Sequence, residues 1–87
     1  MESILIVEDK DSMAAMLKET IEAAGYRPVI ARDGAEGIRK IKDEKIDLVL
    51  TDLKLPRKSG MEVLMSVKEE NPMMPVIMMT AYGSVDL

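Results

Sequence analysis

Apolar positions along the chain change their spacing in a regular order. Ile4, Leu5, Ile6 and Val7 form a continuous apolar run rich in β-branched residues, as in a strand buried on both faces of a parallel sheet, and it stops at Glu8-Asp9. Met13, Met16, Leu17, Thr20, Ile21 and Ala24 then recur at helical spacing, with Asp11 or Ser12 available as the cap and Gly25 placed to end the helix. Pro28-Val29-Ile30-Ala31 reads as a second strand, and Asp33-Gly34-Ala35-Glu36 as a capping box opening a helix through Ile38 and Ile41. A third strand spans residues 46–50, nearly all apolar and therefore central, and ends at Thr51-Asp52. After a loop over residues 53–58, Ser59-Gly60-Met61-Glu62 is another capping box, for a helix through Leu64, Met65 and Val67 that Asn71-Pro72 terminates. The fourth strand is predicted over 75–79, followed by a turn at Thr80-Ala81-Tyr82-Gly83, with Ser84 in the place of a cap for a fourth helix.

Strict alternation of strand and helix with short links predicts the α/β class, a doubly wound parallel sheet whose ligand site lies at the carboxyl ends of its strands. Glu8, Asp9, Asp52 and Thr80 stand at those ends, with Asp33 further out. Three carboxylates held together repel and raise one another's pKa unless a cation sits among them, and an all-oxygen donor set favours Mg²⁺ or Mn²⁺. The chain has neither Cys nor His, which excludes disulfides, thiolate clusters and imidazole chemistry. Eighty-seven residues suit a single domain, and the 47% apolar fraction excludes disorder. A net charge of −4 argues against a nucleic-acid or anionic-membrane surface. No signal peptide and no membrane-spanning run is present, so a cytoplasmic location is expected. A glycine-rich phosphate loop is missing after the first strand, which disfavours dinucleotides and flavins.

Taken together, Glu8-Asp9, Asp52, Leu55-Pro56, Gly60 and Thr80-Ala81 resemble, in order and place, the receiver domain of two-component response regulators. The tail from Thr80 through Leu87 is similar to receivers joined to sigma-54-dependent transcriptional activators of the nitrogen-regulator type. The resemblance implies a flavodoxin-like receiver fold of strand order 2-1-3-4-5, of which residues 1–87 are expected to lack the fifth strand and helix. It implies that Asp52 accepts a phosphoryl group from the phosphohistidine of a sensor histidine kinase. Mg²⁺ is then held by Asp9, Asp52 and the backbone carbonyl of Lys54, with Glu8 acting through water and Thr80 hydrogen-bonding the phosphoryl group. An output domain, with ATPase and DNA-binding parts in that subgroup, is the implied partner within the parent protein.

An ionised carboxylate attacks phosphorus adequately once the phosphoryl oxygens are neutralised, and backbone N–H groups of Leu53 and Ala81 are candidates to complete the cradle. The chain departs from the family in two ways. A fifth strand with its lysine, and a fifth helix, are expected beyond Leu87; Lys10 stands where many receivers carry a third acid. Without those elements the fourth strand becomes an apolar edge and the first helix stands nearly alone on its face, so self-association is expected. Lys54, Arg57 and Lys58 are read as a solvated loop, and Met61, Met65, Met73, Met74, Met78 and Met79 as core filler. Two other functional classes remain in play. A Mg²⁺-dependent phosphatase of the haloacid-dehalogenase type or a toprim-type nuclease wants a second Asp two residues after the first, where Lys54 stands. A pseudo-receiver acting only as an interaction module is the other.

Overall fold

In the computed structural model the chain runs β1 (Ser3–Val7), α1 (Asp11–Ala23), β2 (Arg27–Ala31), α2 (Gly34–Asp43), β3 (Leu48–Asp52), α3 (Gly60–Glu70), β4 (Val76–Thr80) and β5 (Gly83–Asp86). The structure describes residues 1–80 and 83–87, with the backbone alone for 83–86. The sheet order is β2-β1-β3-β4-β5. β1 pairs in parallel with β2 and β3, and β3 with β4, each connection carrying a helix as parallel pairing requires. The α/β, doubly wound reading therefore holds.

Side chains alternate across each strand, and the two faces are filled unequally. Leu5, Val7, Val29, Ala31, Val49 and Val76 face one layer, where Val63 and Val67 of α3 and Ile38 and Ile41 of α2 close over them. Full burial of a valine such as Val63 or Val67 contributes roughly 1.5–3 kcal/mol. The opposite face carries Ile4, Ile6, Leu48, Leu50 and Ile77, and α1 packs there chiefly against β1 and β2. Leu48, Leu50, Ile77 and Met79 consequently stay half-buried. A groove of about 270 Å³, lined by Glu2, Ile4, Tyr26, Asp47, Leu48 and Pro75, opens at the lower end of the sheet.

Several local expectations are corrected. The third strand begins at Leu48, two residues late, because Asp47 turns the chain: its carboxylate accepts from the Ser3 N–H at 2.8 Å and its own N–H donates to the Ser3 carbonyl at 2.8 Å. Ile46 is still buried, so the apolar run marked burial rather than pairing. The N-cap of α1 is Lys10, with no side-chain capping bond, because Asp11 turns its carboxylate to Arg32 instead. The helix does end at Gly25, whose N–H reaches the Glu22 carbonyl while that of Tyr26 reaches Ile21. Met74 and Met78 are core, whereas Met61, Met65 and Met73 are exposed, as are Met13 and Met16 on α1.

The largest correction concerns the end of the chain. Residues 83–86 form no fourth helix; β5 lies antiparallel to β4, with Thr80 facing Gly83 and Met79 facing Ser84. Leu87 exchanges backbone hydrogen bonds with Val76 at 2.7 and 3.3 Å. The edge of β4 offers these residues a ready row of backbone partners. The edge expected to pair with another copy is paired within the chain. Ala81 and Tyr82 lie outside the described residues.

Candidate functional site

Register brings the acidic residues together. Ile6 lies beside Leu50 and Val7 beside Thr51 in the β1–β3 pair, so the next step along both strands sets Glu8 beside Asp52 on one side of the sheet. Asp9 follows at the start of the β1–α1 loop. One carboxylate oxygen from each of Glu8, Asp9 and Asp52 lies within 4.8 Å of the other two, a spacing at which one cation is able to touch all three. Burial is graded across the group: Glu8 is 2% exposed, Asp52 half-buried and Asp9 exposed. The Glu8 N–H is tied to the Ala31 carbonyl at 3.0 Å, which fixes the backbone at the strand end.

The electrostatics follow from that packing. The Glu8 carboxyl is pushed up from its ordinary 4.5 to about 7, with burial the largest cause. The negative charge of Asp52, a proton shared with it, and Asp9 add to the rise, against a smaller opposing effect of Lys10. Glu8 Oε2 is buried without a hydrogen-bond partner among the described residues. An acidic group that holds one oxygen dry and unpartnered beside two further carboxylates has the donor set of a hard divalent cation.

Helix α3 is set by the Ser59–Glu62 capping box, with bonds of 3.3 and 3.2 Å, and its first residue presses against the site. The Gly60 N–H donates to the Leu53 carbonyl at 2.9 Å, and a Cβ on Gly60 would stand 2.2 Å from the Asp52 carbonyl oxygen. No side chain fits there. Leu53 corrects an expectation: its N–H donates to the Met79 carbonyl at 3.0 Å, so it is used in the sheet rather than offered to a ligand. No hydrogen bond among the described residues engages the Lys54 carbonyl oxygen. Thr80 ends β4, one position beyond the Met79 that pairs with Asp52, and is half-buried. Ala81, the other expected backbone donor, lies outside the described residues.

The turn between β2 and α2 has a role that no residue pattern in the sequence marks. Asp33 caps α2 by accepting from the Glu36 N–H at 2.8 Å, and Glu36 reaches back past the cap to the Arg32 N–H. That capping bond, and secondarily Arg57, holds the Asp33 carboxyl below its usual range. Arg57, read from the sequence as solvated, pairs with Asp33 at 2.8 Å. Arg32 grips the β1–α1 loop through the carbonyls of Glu8 and Asp9. Sequence showed only that the turn precedes a capped helix; where Arg32 points depends on β2 lying next to β1.

The family described as response regulator receiver domain matches residues 4–87. The transcriptional regulatory protein ZraR of Klebsiella oxytoca is 39% identical over 83 residues, which are 95% of this chain and 19% of that protein. Among solved structures, a CheY-like receiver domain protein from Methanospirillum hungatei superposes with a TM-score of 0.90 at 38% identity, covering 98% of this chain and 68% of that one. The response regulator TrrA of Thermotoga maritima, solved in complex with Mg(2+)-BeF, gives 0.89 at 33% identity over 94% of this chain and 71% of that one. No helix among the described residues is long and apolar enough to cross a membrane.

Proposed function

The chain belongs to the response regulator receiver domain family, the phosphoacceptor modules of two-component signalling, and from that premise we propose that Asp52 is its phosphorylation site. The observation that carries this reading is the convergence of Glu8, Asp9 and Asp52 with one Glu8 oxygen buried and unpartnered. A carboxylate oxygen of Asp52 attacks the phosphorus of a sensor kinase phosphohistidine, the O–P bond forms, the N–P bond breaks and the imidazole leaves. The chain is a phosphoacceptor, and its share in the transfer is positioning, since phosphoryl transfer asks mainly for in-line geometry and charge stabilisation.

The residues present fit Mg²⁺, with Mn²⁺ as a close substitute. Asp9, Asp52 and the Lys54 carbonyl would hold it, with Glu8 acting through water, and when bound it neutralises charge developing on the phosphoryl oxygens. Asp52, half-buried at a strand end, stays open to a donor. Gly60 leaves the Asp52 backbone room to sit where it does. Thr80, at the adjacent strand end, hydrogen-bonds the transferred group, and Ala81 offers a backbone N–H.

On the same reading residues 1–87 act as the receiver portion of a transcriptional regulator in the cytoplasm, with an output domain that joins ATPase and DNA-binding parts. The match to a protein of which this chain spans 19% supports that reading. Self-association through the face that α1 alone covers is part of it, supported by half-buried Leu48, Leu50, Ile77 and Met79. The test of the central claim is a small-molecule phosphodonor with and without Mg²⁺. Wild-type protein gains one phosphoryl mass, only with Mg²⁺; Asp52→Asn gains none. A modification found on Asp9 or Thr80, or uptake by Asp52→Asn, overturns the assignment.

A further inference from the structure

The β2–α2 turn lies between the two loops that carry the acidic group and bonds to both. On one side, Arg32 Nε donates to the Glu8 carbonyl at 3.1 Å and Nη2 to the Asp9 carbonyl at 3.0 Å, while the same guanidinium meets the Asp11 carboxylate. One planar fork therefore spans three residues of the β1–α1 segment, a geometry that a lysine ammonium cannot reproduce. On the other side, the first N–H groups of α2 take the β3–α3 loop as their partner. Gly34 donates to the Pro56 carbonyl at 3.3 Å, Ala35 to that of Arg57 at 2.9 Å, and Asp33 pairs with the Arg57 guanidinium.

The fit on that second side is tight. A Cβ on Gly34 would stand 1.8 Å from the Lys58 carbonyl oxygen, and Arg57 and Lys58 hold left-handed backbone, φ 49° and 83°. Non-glycine residues adopt that region only against steric strain, and persist there only when neighbours hold them. The loop after Asp52 is thus pulled onto α2, and the loop after Glu8 is pulled onto Arg32.

We propose that Arg32 is a positioning residue for the divalent-cation site: it touches neither metal nor phosphoryl group but holds Glu8 and Asp9 by their carbonyls at the distance from Asp52 that one cation spans. The proposal rests on the metal-site reading above. Two opposite effects make it decidable. A guanidinium beside an acidic group repels a divalent cation, so its removal should on charge grounds alone tighten Mg²⁺ binding. Loss of the clamp should loosen it, because the carboxylates must then be brought together by the metal itself, at an entropic cost.

The experiment is calorimetric titration of the 87-residue chain with Mg²⁺, comparing wild type with Arg32→Ala, Arg32→Lys and Asp52→Asn, with urea unfolding of each in chelator. Three- to tenfold weaker binding is expected for Arg32→Ala at a metal-free urea midpoint that still reports a folded chain. Arg32→Lys, which keeps the charge and loses the fork, should weaken in the same direction and provides the measurement if the alanine variant does not fold. Unchanged or tighter binding in Arg32→Ala, or wild-type affinity in Arg32→Lys, overturns the proposal. A wild type that binds no Mg²⁺, or binds it as Asp52→Asn does, overturns the metal site itself and is thereby distinguished from a failure of Arg32 alone.

Discussion

Replacing Glu8 by Gln keeps the shape of a buried side chain and removes its charge, and the structure sets both sign and size of the consequence. In the unfolded chain the Glu8 carboxyl titrates near 4.5, and in the folded one near 7, chiefly because it is buried and then because Asp52 is beside it. Between those values the folded state binds the extra proton. Stability is therefore highest below about pH 4.5 as far as this group is concerned, and falls as pH rises toward 7. Above that the charged, buried carboxylate costs about 3 kcal/mol. That is a large share of what a domain of this size possesses. Glu8→Gln should lack this slope. Its metal-free stability should match that of wild type near pH 4.5 and exceed it by about 3 kcal/mol at pH 8. With a urea dependence of about 1 kcal/mol per M, the midpoints separate by about 3 M.

The assay is urea unfolding in chelator at a series of pH values, repeated with saturating Mg²⁺. A cation among the carboxylates favours the ionised form, so wild type should lose most of its slope when metal is present. Calorimetry in buffers of different ionisation enthalpy should then show proton release on metal binding near neutral pH. Glu8→Gln should show little of either. Parallel pH profiles for the two proteins without metal, offset by a constant, would refute the reasoning, because the penalty would then not be carried by the Glu8 charge.

Three further outcomes bear on the same site. Gly60→Ala places a Cβ against the Asp52 carbonyl oxygen and should destabilise by about 3 kcal/mol in urea and weaken Mg²⁺ binding together, since α3 or the end of β3 must move. Ser59→Ala removes the cap of the same helix and should cost about 1 kcal/mol while Mg²⁺ affinity measured by titration stays unchanged. Asp52→Asn should remain folded and fail to take up a phosphoryl group by mass spectrometry.

The repeating unit and the place of the chemistry are legible along the chain alone. A continuous apolar run such as Ile4-Leu5-Ile6-Val7 does not alternate and so is buried on both faces, and Ser59 and Glu62 stand three apart as a capping box requires. Once a parallel sheet is accepted, Glu8, Asp9 and Asp52 must lie at one end of it. These are local or periodic constraints, written in the spacing of residue types. Pairing decided the rest. Ile46 is as apolar as Leu48, yet Asp47 exchanges hydrogen bonds with Ser3 and delays the strand. The Leu53 N–H looked free for a ligand until β4 came alongside and its Met79 carbonyl took it. Ser84 had the residue type of a cap, but the open edge of β4 offered the last residues a ladder, and they became β5. Arg32 carries no pattern at all: its hold on Glu8 and Asp9 exists only because β2 is the neighbour of β1, a relation between segments far apart in sequence that no local spacing encodes.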